Sequence, residues 1–220
     1  MAPPRSATRK RGPLWSIDPA ESVGPVKKTL LRDEVRRNET MDIKNAILDS
    51  AEKRMREGGF HACSFREVAA DVGIRSASVH YHFPTKADLA ASLIARYETK
   101  VLALIGDPED ERDLICKLDA MRAALRSGLA RGDGMCLGGV LATEALSLPA
   151  PVQVATRRYF AACNDWLARA FACAGAAAPQ RRALQLTALL QGAMLQAIAL
   201  GDVAAFDAAA EGLSDASAMR

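Results

Sequence analysis

Aromatic side chains make up only 5% of this 220-residue chain. Runs of Val, Ile and Thr that would read as strands are also missing. Ala and Leu crowd the second half instead, and both lose little rotamer freedom on entering a helix. These absences exclude a sandwich or barrel and point to an all-α fold. Histidine is limited to His61, His80 and His82. The cysteines are Cys63, Cys116, Cys136, Cys163 and Cys173, an odd number with no Cys-x-x-Cys pair. They read as free thiols of a reducing cytosol, so neither a metal nor a cofactor is expected. No nucleophile–base pattern, Gly-rich phosphate loop or metal-ligand spacing is present, which speaks against an enzyme. No apolar run reads as approaching the ~20 residues of a membrane span. The first 30 residues hold basic groups but no apolar segment, so no signal peptide is expected and the chain reads as cytoplasmic.

What is present is unevenly charged. The net charge of +3 divides into +4 over residues 1–40, +1 over 41–105 and −2 over 106–220. Basicity therefore sits at the N-terminal end, where a polyanion would be met. Residues 1–40 scatter Pro3, Pro4, Pro13, Pro19 and Pro25 among Arg, Lys, Ser and Gly. Three readings stand open for them: a disordered basic extension, a basic arm adding phosphate contacts, or a segment preceding the true start of translation at Met41. Thr29–Glu39 also fits a loose helix.

From Asp42 the pattern turns helical, with Ile43, Ala46, Ile47, Ala51 and Met55 on one face. Gly58-Gly59 ends that helix. Ser64-Phe65-Arg66-Glu67 is a capping-box pattern, and Phe65, Val68, Ala69 and Val72 form the stripe of a short helix stopped by Gly73. A third helix spans Ser76–His82, capped by Ser76, with Val79 and Phe83 inward and Pro84 as its breaker. Thr85 to Asp88 cap a long fourth helix with Leu89, Leu93, Tyr97, Val101 and Leu104 on its buried side. Gly106-Asp107-Pro108 marks a boundary between a domain over 41–105 and a second over 106–220. Helices are expected there near 110–131, 135–147, 151–174, 179–200 and 203–216.

Two short helices joined by a Gly-containing turn, packed on a first helix, make a helix-turn-helix, whose second helix enters the major groove. The stretch SFREVAADVGIRSASVHYHFPTKADLAASLI resembles the DNA-binding signature of the TetR family of repressors. Ser64, Ala69, Gly73, Ile74, Val79, Tyr81, His82, Phe83, Lys86 and Leu89 carry the resemblance, which covers about 50 residues from Ile43 to Leu93. It implies a dimeric, ligand-responsive transcriptional regulator. Arg75, Ser76, Ala77 and Ser78 are placed to meet base edges, Ala77 through a thymine methyl and Arg75 through guanine or a phosphate. Tyr81 and His82 resemble phosphate-binding positions, while His80 replaces the Tyr frequent there in the family. Lys86, at a helix N-terminus, suits a phosphate, and Arg66 can reach the flanking backbone. His80 and His82, at i and i+2, face apart and do not form a metal pair.

The resemblance further implies a small-molecule pocket in the second domain and dimerisation through its last two helices, residues 179–216. Ala183, Leu186, Leu190, Ala193, Met194 and Ala197 offer a face suited to close packing. Expected pocket residues are Met121, Leu125, Met135, Cys136, Leu141, Tyr159, Phe160, Trp166 and Gln191, lining a cavity for a small hydrophobic inducer. The expected partner is double-stranded DNA bearing a palindromic operator. The expected mechanism has ligand move the helix after Pro108, which pushes the fourth helix and alters operator spacing. Two alternatives are carried. Cys136, at a helix start, reads as an inert buried thiol or, alternatively, as a sensor of electrophiles or oxidants through a depressed pKa. The chain could instead be a nonspecific architectural DNA binder.

Overall fold

The computed structural model describes the backbone of residues 25–211 and the side chains of residues 39–211. Among the described residues it holds nine α-helices and no strand: α1 (Pro25–Ala62), α2 (Phe65–Val72), α3 (Ser76–His82), α4 (Lys86–Ile105), α5 (Leu114–Ala130), α6 (Leu137–Thr143), α7 (Ala150–Cys173), α8 (Pro179–Leu200) and α9 (Ala204–Ala210). The chain divides into two units, Met1–Asp42 and Ile43–Arg220. In the first, the backbone is already helical from Pro25. That corrects the disordered extension expected through residue 40, and favours the helical reading of Thr29–Glu39. The Pro-rich segment before it lies outside the described residues.

In the second unit, the short helices α2 and α3 and the start of the long α4 are framed by local chemistry. Gly59, at φ 80° and ψ −179°, breaks the regular course of α1. The Ser64–Glu67 capping box opens α2: Glu67 N–H donates to Ser64 Oγ, and Ser64 N–H donates to Glu67 Oε2 at 3.1 Å. Gly73, left-handed at φ 74°, closes it. A second box, Thr85–Asp88, opens α4. Such caps are worth about 1 kcal/mol each. Helix α3 has no side-chain cap, because Arg75 is its extended N-cap and Ser76 its first helical residue. The expected Ser76 cap is thereby corrected.

The core beneath these helices gathers Ile47, Ala51 and Met55 of α1, Val68, Ala69, Val79, Phe83, and Leu89 and Leu93 of α4. Leu104, expected inward, is exposed, and Ile105 is buried in its place. The same core takes in Leu137, Leu141, Leu148, Val152, Tyr159 and Cys163 from beyond residue 106. The expected boundary at 105/106 is therefore no break in packing: apolar groups of α6 and α7 cover α4 from the far side.

A second core joins α5, α7, α8 and α9 around Leu118, Met121, Trp166, Phe171, Leu190, Met194 and Phe206. Helix α6 is shorter than expected, at seven residues; α9 is described over Ala204–Ala210, and its expected end near 216 lies outside the described residues. In α8, Ala183, Leu186, Leu190, Ala193, Met194 and Ala197 are all buried in the chain's own core. These are the residues expected at a dimer interface, so that assignment is corrected: the free apolar groups are Leu184, Leu189, Leu195, Ile198 and Leu200. Apolar on both sides, α8 is long and apolar enough by length and composition to cross a membrane. The expectation that no apolar run approaches a span is qualified on length and composition alone, since a helix packed in a core passes the same test.

Candidate DNA-reading surface and effector cavity

Helix α3 is anchored from below by Val79 and Phe83 and offers its other side to solvent. Arg75, Ala77 and His80 are exposed, and Ser76 and Ser78 are half-buried. Tyr81 is 79% exposed, its ring edge-on to His82 at 5.2 Å. A large aromatic so displayed presents a hydroxyl at the tip of a rigid arm. His82 is half-buried; burial first, then the positive charge of Lys44, hold its imidazole below the usual pKa. At neutral pH it is therefore an uncharged ring. The His80 ring packs edge-on against Phe65 at 4.6 Å between centroids, which fixes the angle between α2 and α3. Arg66 is exposed on the first turn of α2.

Lys86 is placed differently from the free cation expected. It is half-buried, its Nζ donates to the Phe60 carbonyl at 2.9 Å, and it stands 4.3 Å over the Phe60 ring. Lys44, which sequence reasoning did not single out, is exposed and lies 5.7 Å from the Phe83 ring centre, beside His82. A lysine on an exposed helix face carries no mark in sequence that sets it apart. Arg54 fixes α1 to α2 through paired hydrogen bonds to Asp71 at 2.6 and 2.8 Å.

Of the expected pocket residues, Met121, Leu125, Tyr159, Phe160 and Gln191 do line one cavity, together with Cys163, Leu167, Thr187 and Leu190. Thr187 stands one turn before Gln191 on α8, and that i, i+4 spacing from an expected pocket residue is the signal by which Thr187 could have been found. The Thr187 hydroxyl donates to Asn164 Oδ1 at 2.6 Å. The free space is about 20 Å3, room for one water. Met135, Cys136, Leu141 and Trp166 do not line it, which corrects four expected positions. Met135 and Leu141 are core, and the Trp166 indole N–H donates to the Gly106 carbonyl at 2.7 Å. Cys136 instead lines a separate cleft of about 240 Å3 with Tyr97, Val101, Leu125 and Met194, rimmed by Glu52, Arg56, Lys100, Arg131 and Asp133. A larger groove of about 400 Å3 continues over that rim. Its walls are charges already paired, such as Arg131 with Asp133 at 2.8 Å and Lys100 with Glu52 at 3.4 Å, so it is a poor seat for an apolar molecule.

Cys136 is the N-cap of α6; its thiol donates to Gln191 Oε1 and accepts from the Gly139 N–H, both at 3.2 Å. Burial raises its pKa above the ordinary thiol value despite these bonds. The expected depression is overturned: the dipole of a seven-residue helix does not offset the loss of water around a thiolate. Cys163 is pushed up to about 12 by the same cause. No group of three His, Cys, Asp or Glu side chains suited to a metal is found among the described residues.

Residues 47–93 match the family model for bacterial regulatory proteins, tetR family. A transcriptional regulator of the TetR family from Agrobacterium tumefaciens shares 30% identity over 80% of this chain and 97% of its own, with a TM-score of 0.73. The chain belongs to the TetR family. A TetR transcriptional regulator from Legionella pneumophila follows at 27% identity, over 80% of this chain and 96% of that one, with a TM-score of 0.74. The reduced form of Escherichia coli NemR shares the fold at 18% identity, over 79% and 96% of the two chains, with a TM-score of 0.66. No curated protein matches. Membership makes this TetR-family chain a transcriptional regulator with a DNA-binding helix-turn-helix, formed by α2 and α3, and a helical second part.

Proposed function

We propose that this regulator is a cytoplasmic, homodimeric repressor without enzymatic activity, released from a palindromic operator by a small hydrophobic molecule. The observation that carries the reading is the display of α3, with Tyr81 and Arg75 exposed at the surface of a head whose neighbouring helices α2 and α4 are each opened by a capping box. Arg75, Ser76, Ala77 and Ser78 meet base edges; Tyr81, His82, Arg66 and the added Lys44 meet phosphates. Lys86 supports the head from inside, and His80 holds α3 against Phe65. The partner subunit covers the outer row of α8, Leu184, Leu195 and Ile198, together with the groove between α7 and α8 that Asp165, Arg169 and Leu184 line. Helix α9 buries Phe206 and Ala210 in its own subunit, so the interface drawn over residues 179–216 narrows to α8 with α7. The inducer occupies the cavity bounded by Tyr159, Phe160 and Gln191 after its walls part.

Footprinting on a duplex selected by the protein from a randomised pool tests this. Protection confined to an inverted repeat supports the reading, and uniform protection would make the chain an architectural binder. Tyr81→Phe removes one phosphate hydrogen bond of ~1 kcal/mol per subunit, or ~2 kcal/mol per dimer, and should weaken binding about 30-fold. Unchanged affinity would refute the placement of α3 in the groove. Release of that duplex by members of a panel of small hydrophobic compounds, found by thermal shift, tests the inducer.

A further inference from the structure

The corner where α1 gives way to α2 is held from two distant places at once. The N–H of Phe60 donates to Glu144 Oε2 at 3.0 Å, and its carbonyl accepts from Lys86 Nζ at 2.9 Å. One peptide segment thus ties Glu144, directly after α6, to Lys86, the first residue of α4 and four residues past the end of α3. Gly59 is required twice over: its φ of 80° suits glycine, and a Cβ there would overlap the Glu144 carboxylate. His61 Nε2 lies 3.4 Å from Ser147 Oγ, a second link from the same corner to the same loop.

The other end of α6 rests on the cavity wall. A Cβ at Gly138 would overlap the Tyr159 ring, and one at Gly139 would meet Met135 and Gln191. The Cys136 thiol bonds Gln191. Tyr159 and Gln191 both line the cavity. The loop before α6 is gripped by α1 as well: Arg56 Nε donates to the Met135 carbonyl at 3.0 Å, and its Nη1 lies 3.5 Å from Asp133 Oδ2. Helix α6 is seven residues long, hence about 10 Å. It runs as a strut from the cavity wall to the α1–α2 corner.

We propose that Glu144 is a positioning residue for DNA reading, linking the cavity to α3 through the Phe60 peptide and Lys86. This route bypasses the push of α5 on α4 expected from sequence. The proposal rests on the ligand-responsive reading above only for its physiological sense; the link itself is a property of the folded chain. A carboxylate accepting from a backbone N–H is charge-assisted and directional, so it transmits displacement better than apolar contact.

The test combines hydrogen exchange at the Phe60 amide with binding to the pool-selected duplex, in Glu144→Ala, Glu144→Gln, Gln191→Leu and the Glu144→Ala/Gln191→Leu double variant. Glu144→Ala should speed Phe60 exchange about fivefold, the loss of one net hydrogen bond, and weaken duplex binding by up to about 30-fold, because the dimer loses it twice. Glu144→Gln keeps an acceptor oxygen and should restore both. Gln191→Leu, at the far end of α6, should speed Phe60 exchange in the wild-type background and add nothing once Glu144 is gone. The proposal is overturned if Glu144→Ala leaves Phe60 exchange unchanged, if exchange rises equally across all core amides, or if the Gln191→Leu effect persists undiminished in the double variant. Should no duplex be selected, the operator reading fails while the exchange cycle still decides the link.

Discussion

The outward row of α8 makes the assembly testable by a single side chain. Leu195 is 49% exposed in the isolated subunit, and Leu184 and Ile198 flank it on the same stripe. Fully burying a leucine is worth about 1.5–3 kcal/mol. With half of that surface still to be covered, Leu195→Ala should remove ~1 kcal/mol per subunit. A two-fold interface counts each change twice, so the dimer should weaken by ~2 kcal/mol, or about 30-fold in dissociation constant. Leu195→Asp adds the cost of desolvating a carboxylate against an apolar partner and should yield a folded monomer at micromolar concentration. Sedimentation velocity over a concentration series reads both. Leu190→Ala is the matched control: Leu190 is 1% exposed within its own subunit, so it should lower unfolding stability by about 2–5 kcal/mol while folded chains still pair. If Leu195→Asp remains a dimer, or if Leu190→Ala dissociates one that is otherwise folded, the orientation of α8 argued above is wrong.

Thiol chemistry and acid titration supply two more tests. Cys173 is exposed, whereas Cys136 is buried with its pKa raised, so iodoacetamide should label Cys173 well before Cys136; equal rates would revive a sensing role for Cys136. The Asp71 carboxyl is held well below the usual range, chiefly by hydrogen bonds from Arg54 and Ser50. A carboxyl depressed in the folded state adds stability above its unfolded pKa, near 3.9, and that stability is lost as pH falls below it toward the folded value. Asp71→Asn should therefore flatten the acid limb of a denaturation-midpoint series below about pH 4, modestly because the pair is solvent-exposed. A variant with the parent's pH dependence would show that the pair contributes nothing.

The head was legible because its determinants are local. Ser64 with Glu67, Thr85 with Asp88, and Gly73 each act within one turn, and every one stands where its spacing places it. The facing of α8 was not legible, because hydrophobic periodicity points inward only when the other face is polar, and Leu184, Leu195 and Ile198 make both faces apolar. Lys86 and the sensing alternative for Cys136 depart from their local expectation for a shared reason. Each sits at a helix N-terminus, which locally favours phosphate for one and thiolate for the other. Tertiary neighbours far off in sequence prevailed: the Phe60 carbonyl took the ammonium, and the core around Gln191 removed the water a thiolate needs.

The size of the cavity constrains any inducer. A ligand of ordinary size needs several hundred Å3, against about 20 Å3 of free space beside Gln191. Binding must therefore open the walls, and the opened form is the one the ligand favours. Moving the balance from 1:99 to 99:1 takes about 5.5 kcal/mol of differential affinity. At ~25 cal/mol per Å2, this corresponds to about 220 Å2 of apolar surface buried in the open form but not the closed one. A molecule of one or two fused rings supplies that area, whereas a metabolite of four or five heavy atoms does not. Leu125 and the Cys136–Gln191 pair stand between the cavity and the cleft beside α4, so space gained on that side breaks the bond that seats α6. A ligand large enough to fit is thereby one that strains the strut ending at Glu144.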